Sequence, residues 1–342
     1  MKTILSIASL VFCSIAVQAQ NNADLIIKNG KIIDGTGNSW YYGDVAVKDG
    51  KIIKAGRLND MQATKVIDAK GLIVAPGFID VHCHIEGGII NTPTANNYIF
   101  DGVTTVVTGN CGGSAGNIGS FLQEINQVRP SINVASLIGH NTVRSQVMNR
   151  DNRKPTSQEQ QKMDALVDQA MKEGAVGLST GLIYIPGTFA ETGEVISLAK
   201  AAAKNKGVYA SHIRNEENSA VEAVNEAINI GKEANIPVQI SHFKIGGKAN
   251  WGNSDMTLGL VKTARQDGWD VTIDQYPYTA SSTNLGIRLP DWAFAGGNDS
   301  LKARLNNPTV RAKIKKEMLE QLAGYKFPNY SYAVVANYPS DT

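Results

Sequence analysis

The sequence is short of several things, and each shortage excludes a class of protein. Acidic and basic residues nearly cancel, 31 against 33, leaving a formal net charge of +2. No basic stripe or long charge run occurs, so no nucleic-acid partner is expected. No apolar run reaches the roughly 18 residues that a membrane-spanning helix needs, so no stable membrane span is expected. No Gly-rich dinucleotide fingerprint follows the first strand of the α/β region, which weakens a Rossmann reading. Cysteine is scarce, with three residues, and histidine is hardly commoner, with five. The rest is ordinary for a globular chain: 42% hydrophobic, 19% charged and 33 glycines in 342 residues. That length suffices for a large buried core or for one barrel-sized domain with an appendage.

Residues 1–19 read as a signal peptide. Lys2 precedes the 14-residue run "ILSIASLVFCSIAV", and the small-residue site "VQA" ends at Ala19. The run is too short for a membrane span and has the parts of a secretion signal. Phe12 before Cys13 argues against a lipoprotein signal. The mature protein is therefore expected to be exported, periplasmic or secreted, and to keep Cys83 and Cys111.

Residues 20–74 form a small β-rich part, here expected to be a β-sandwich portion. "DLIIKNGKIIDG", "YYGDVAVKDGKIIKAG" and "TKVIDAKGLIVAPG" are short β-rich runs, with "NG" and "DG" expected to turn them into hairpins. From 75 to 283 short apolar runs alternate with helical patterns: "FIDVHCH", "VTTVVTGNC", "INVASLIGH", "AVGLSTGLI", "GVYASHIR", "PVQISHF" and "DVTIDQYPY". Repeated βα units imply a parallel α/β sheet, either open or closed as a (β/α)8 TIM-like barrel. Seven strands are counted, with an eighth expected beyond the chain. Helices are expected over "SQEQQKMDALVDQAMKEG", opening with a Ser157-x-x-Gln160 capping box, and over "SAVEAVNEAINIGKEAN". Residues 284–342 read as an incomplete insertion after strand seven, with a helix over "PTVRAKIKKEMLEQLAG" and a strand-like run in "YSYAVVANY".

All five histidines fall at the C-terminal ends of these strands, the rim on which a barrel builds its active site. In "DVHCH" the pleat turns His82 and His84 the same way, toward the mouth, and Cys83 toward the helices. Two imidazoles at i, i+2 can hold a divalent metal, and His212 and His242 can complete it or hold a second. Cys111, flanked by glycines in "TGNCGG", can bring a thiolate to the same place. Nitrogen and sulfur donors point to Zn2+. The alternative for Cys83 and Cys111, an exported disulfide, fits poorly if the two face opposite ways.

The motifs "PGFIDVHCH", "GVTTVVTGNCG", "GLSTGLIYIPG", "YASHIRNE", "VQISHFK" and "DQYPYTASST", in this order from about residue 24 to 283, together resemble the amidohydrolase superfamily. They are most similar to its N-acyl-D-amino-acid deacylase (D-aminoacylase) branch. The resemblance implies a β-sandwich plus (β/α)8 barrel and zinc-dependent hydrolysis of the amide of an N-acyl-D-amino acid. It implies a tight zinc on Cys111, His212 and His242, with Cys111 in the place of the bridging lysine that strand four lacks. A weaker site falls to His82 and His84. Tyr184 would stabilise the oxyanion, and Lys244, Tyr276 and Ser282 would contact the substrate carboxylate. The general-base aspartate of the family would lie on strand eight, beyond residue 342, so these residues alone are expected to be inactive. Arg214, Glu216, His140 and Arg144 read as supporting groups. Two alternatives stay open: a dipeptidase that acts before a C-terminal D-residue, and a non-catalytic metal-binding fragment.

Overall fold

The structure, a computed structural model, describes residues 22–336; the signal-peptide reading of residues 1–19 lies outside them. The described chain divides into two compact units, one ending at Phe78 and the other starting at Ile79.

The first unit is one five-stranded mixed sheet. Its strands are β1 (Asn22–Ile32), β2 (Tyr41–Lys48), β3 (Lys51–Gly56), β4 (Gln62–Asp68) and β5 (Ile73–Val74). The order is β3-β2-β1-β4, with β5 also on β1; β1 runs antiparallel to β2 and parallel to β4 and β5. The Asp49-Gly50 pair makes the expected hairpin turn between β2 and β3, both residues at positive φ. The Asn29-Gly30 pair does not turn the chain. It sits inside β1, where the pairing with β2 shifts register. Asn29 donates from its backbone to Asp44 Oδ1 and from its side chain to Asp68 Oδ1, both at 2.9 Å, so its amide groups are satisfied within the sheet.

The second unit holds seven parallel strand positions among the described residues. They are β6 (Phe78–Asp80), β7 (Val103–Thr108), the split third strand β8 (Asn133–Ser136) and β9 (Ile138–Gly139), β10 (Gly177–Gly181), β11 (Val208–His212), β12 (Val238–Ile240) and β13 (Val271–Ile273). They pair as two sheets, β6-β7-β8 and β9-β10-β11-β12-β13, with Leu137 the one residue between β8 and β9. Leu137 N still donates to Thr108 O, so the third strand bridges the two halves. This is the α/β barrel arrangement.

The helices are α1 (Gly88–Asn91), α2 (Asn96–Ile99), α3 (Ile118–Val128), α4 (His140–Met148), α5 (Ser157–Lys172), α6 (Thr192–Lys204), α7 (Ala220–Ala234), α8 (Ser254–Gln266), α9 (Asn298–Asn306) and α10 (Pro308–Gly324). α5 buries Met163, Val167, Ala170 and Met171, spaced to form one stripe. Its capping box is Thr156 with Glu159, one residue earlier than the Ser157–Gln160 pair expected, because the Thr156 hydroxyl accepts from Glu159 N. The core between strands and helices contains Leu178, Leu198, Val195 and Tyr209, all fully buried; each such aliphatic side chain contributes about 1.5–3 kcal/mol. α10 begins at Pro308 as expected. The strand expected in "YSYAVVANY" is not found among the described residues: Tyr330–Tyr332 is a 3-10 turn, and Val334 beyond it is exposed. Among the described residues no strand pairs with it, and β propensity without a partner makes no sheet. Among the described residues no helix is long and apolar enough to cross a membrane.

Candidate metal centre

The rim side chains stand on the turns just past the strands. β6 stops at Asp80, short of the expected "FIDVHCH" strand, because the Asp80 carboxylate accepts from His82 N at 3.0 Å and draws the backbone into a turn. Cys83 is buried beside Val106, Phe121 and Ile125, and its thiol donates to Val107 O at 3.3 Å. Burial first, then the Asp80 charge, pushes that thiol up to about 12. Both cysteines are free, so there is no disulfide between them.

Cys111 stands in a tight turn after β7. Gly109, Cys111 and Gly112 all have positive φ, at 78°, 53° and 77°. A Cβ on Gly109 would lie 2.2 Å from Leu137 O, so only glycine fits there. The turn is pinned from two sides. Ser179 of β10 accepts from Gly112 N at 3.1 Å and donates to Gly109 O, while Glu86 accepts from Gly109 N at 2.7 Å. Strand four therefore supplies a serine that braces the cysteine turn.

Two sets of donor atoms converge, His82–His84–Cys111 and Cys111–His212–His242, each set lying within 4.8 Å of one another. Cys111 belongs to both. Its Sγ lies 3.3 Å from His82 Nε2 and 3.7 Å from His242 Nε2, and His242 Nε2 lies 2.8 Å from His212 Nδ1. The far nitrogen of two of these rings rests on a carboxylate: His242 Nδ1 on Glu216 Oε1 at 2.8 Å, and His82 Nδ1 on Asp274 Oδ2 at 3.2 Å. With Nδ1–H directed at a carboxylate, each Nε2 carries the lone pair toward Cys111. The other His212 nitrogen, Nε2, is buried and has no hydrogen-bond partner.

The charges follow from these contacts. Burial pushes the Cys111 thiol up to about 12, with the Glu216 and Asp274 carboxylates adding to the effect. Burial also drives His212 down to about 3, so its ring is neutral at physiological pH. Burial alone would raise Glu216, but the His242 hydrogen bond and the charges around it hold the carboxyl at about 2. Asp274 is likewise lowered, its burial outweighed by His82 and by donation from His242 N and Gln239. A thiol, imidazoles and supporting carboxylates form a donor set that suits a borderline divalent metal such as zinc.

The remaining residues are placed as follows. Tyr184 follows β10; its ring lies 4.7 Å from that of His212 and its phenol meets Thr283 Oγ1 at 3.2 Å. Lys244 reaches Glu216 Oε1 at 2.7 Å and lies over the Tyr276 ring at 5.7 Å. Ser282 is exposed, and its neighbour Thr283 makes the tyrosine contact. Arg214 points away to Glu226 of α7 and to the carbonyls of Thr188 and Ala190. Glu216 serves His242, with His212 Nε2 3.9 Å away, rather than His212 first. His140 and Arg144 form a separate, fully buried cluster on Glu194. Asp274 was not singled out from the sequence. Its signal is available there: an acidic residue directly after the seventh apolar run, at the position that carries histidine or cysteine on other strands.

This arrangement has known counterparts. The chain is 36% identical over 287 residues to the D-aminoacylase of Alcaligenes xylosoxydans xylosoxydans, covering 77% of this chain and 59% of that protein. It is 38% identical over 288 residues to the N-acyl-D-glutamate deacylase of the same organism, covering 78% and 59%. It also superposes on the crystal structure of N-acyl-D-glutamate deacylase from Bordetella bronchiseptica, complexed with zinc and a phosphonate inhibitor, with a TM-score of 0.72. That match has 38% identity and covers 75% of this chain and 59% of the other. The chain thus spans somewhat over half the length of these relatives. A profile described as "Amidohydrolase family" matches residues 65–280, more than half of the sequence. With the strand order and the rim donors in agreement, the chain belongs to the amidohydrolase family.

Proposed function

We propose that the full-length protein is a zinc-dependent hydrolase of the amide bond of N-acyl-D-amino acids, giving a carboxylate and a free D-amino acid. The observation that carries this reading is the single thiol, Cys111, shared by two converging donor sets. Cys111, His212 and His242 would hold the tight metal and His82 and His84 the weaker one. When bound, zinc polarises the amide carbonyl and lowers the pKa of water.

The chain's own residues do the rest. Glu216 and Asp274 fix the tautomer and ring orientation of His242 and His82. The Tyr184 phenol, raised to about 12 mainly by burial, stays protonated at neutral pH and can donate to the developing oxyanion. Lys244 and Tyr276, neighbours over the site, suit the substrate carboxylate, with Ser282 as a further contact from its exposed loop. With carboxylate and acyl carbonyl both fixed, the direction of the side chain is the third point that distinguishes D from L.

The test is turnover by the zinc-loaded full-length protein of N-acetyl-D-amino acids beside their L forms. D-selective release of acetate is expected, and its absence sinks the proposal. L-Ala-D-Xaa dipeptides in the same assay rank the dipeptidase alternative, and tight zinc without hydrolysis would favour the metal-binding one. Export belongs to the same proposal and rests on residues 1–19; N-terminal sequencing of secreted material should begin at Gln20.

A further inference from the structure

We infer that Asn141 is a positioning residue for Tyr184: one buried carboxamide holds both ends of the turn that presents the phenol and packs against the turn that presents Cys111. The inference rests on the proposed deacylase reading for what Tyr184 does, and on geometry alone for how Tyr184 is held.

Asn141 is the second residue of α4 and is 8% exposed. Its Nδ2 donates to Gly181 O at 3.1 Å and to Tyr184 O at 3.2 Å, and its Oδ1 accepts from Gly181 N at 3.4 Å. A single side chain thus bonds both ends of the 181–184 turn. The glycines around it show how closely it is enclosed. A Cβ on Gly112 would lie 2.2 Å from Asn141 Oδ1, and one on Gly187 would lie 2.6 Å from it. Gly112 follows Cys111, and Gly187 closes the "GLIYIPG" loop, so the carboxamide is wedged between the two segments. The next residue, Thr142, donates from its backbone to Gly112 O at 3.2 Å.

Asn141 is itself held in place. His140 before it contacts Glu194 Oε1 at 2.9 Å, and Arg144, one turn later, binds Glu194 Oε2. His140 and Arg144 have no exposed surface, and Glu194 belongs to α6. The buried cluster anchors the start of α4, and Asn141 passes that anchorage to Tyr184.

The experiment uses the zinc-loaded full-length protein. Asn141→Asp keeps the shape but places an oxygen against the Gly181 and Tyr184 carbonyls. Asn141→Ala removes the amide without adding charge and serves if the first variant does not fold. We expect kcat on N-acetyl-D-amino acids to fall about 10–100-fold with KM and zinc content nearly unchanged. In a Tyr184→Phe background the same change should cost almost nothing further, because the two residues act as one unit. In protein labelled with 3-fluorotyrosine, the Tyr184 resonance, assigned by its loss in Tyr184→Phe, should move in either variant. Losses that multiply in the double variant overturn the inference. So does a lowered melting temperature with kcat unchanged per folded molecule, or an unmoved Tyr184 resonance. If the unmodified protein hydrolyses no acylated D-amino acid, the deacylase reading fails by itself, and the fluorine signal still decides whether Asn141 holds Tyr184.

Discussion

Two histidine–carboxylate clusters stand at strand ends of the same barrel and differ in what is left unpaired. In one, His140 and Arg144 close on Glu194 with no exposed surface. Both carboxylate oxygens are used, and Arg144 also donates to the carbonyls of Asp151 and Arg153, so that what stays unpaired there is a donor, Arg144 Nε, and not a lone pair. In the other, Glu216 and Asp274 each occupy only the far side of an imidazole, and the near sides face one thiol. His212 Nε2 in that cluster has no hydrogen-bond partner. Similar residue types thus do opposite work. A closed cluster fixes a helix, whereas one that keeps its lone pairs can accept a metal.

The largest expected effect breaks the open cluster. Cys111→Ala removes the atom common to both donor sets, and the full-length protein should lose its zinc and on the order of 10³-fold or more in turnover. Metal analysis beside the deacylase assay checks this; near-normal zinc with near-normal turnover would place the metal elsewhere. Next in size is the closed cluster. Glu194→Ala leaves the Arg144 charge buried and unpaired, which should cost about 3–5 kcal/mol of stability. Urea unfolding measures it, and a loss below about 1 kcal/mol would show that Arg144 finds other partners. The folded fraction of this variant should still bind zinc, since Glu194 touches none of the donors.

A finer test asks how far supporting carboxylates matter. Asp274→Asn and Glu216→Gln keep the shape of the site but weaken its hold on His82 and His242. Each should lower zinc affinity about 10–100-fold, short of the loss at Cys111. Chelator competition reads the difference, and equal affinities would mean that the rings are oriented by packing alone.

The sequence carried the fold further than the site. Parallel strands covered on both faces read as apolar runs, so β7, β10 and β11 were visible as strands. Strand ends were not, because side-chain bonds decide them: Asp80 stops β6 before His82, and Thr156 takes the cap from Ser157. "YSYAVVANY" had strand propensity, but its described residues have no strand to pair with among the described residues. At the site, the five donors could be chosen by residue type because histidine and cysteine are rare here. Their supports could not. Aspartate and glutamate are common, and no spacing rule says that Glu216 turns to His242 on the next strand or that Asp274, after the seventh strand, reaches back to His82, after the first.

The smallest expected effect concerns acid. Burial by itself would raise the Glu194 carboxyl, but hydrogen bonds and charge from His140 and Arg144 bring it below its usual 4.5. A carboxyl lowered on folding adds stability that is fully present above the unfolded value. It is lost as the pH falls below that value and through the folded one, because the unfolded chain then binds the proton more readily. The closed cluster should therefore steepen the drop in melting temperature below about pH 4.5. Glu194→Gln has no proton to bind there, and its melting temperature should fall less steeply over the same interval, whatever its value at neutral pH. Parallel slopes for the two proteins would mean that Glu194 is not held as an anion between His140 and Arg144.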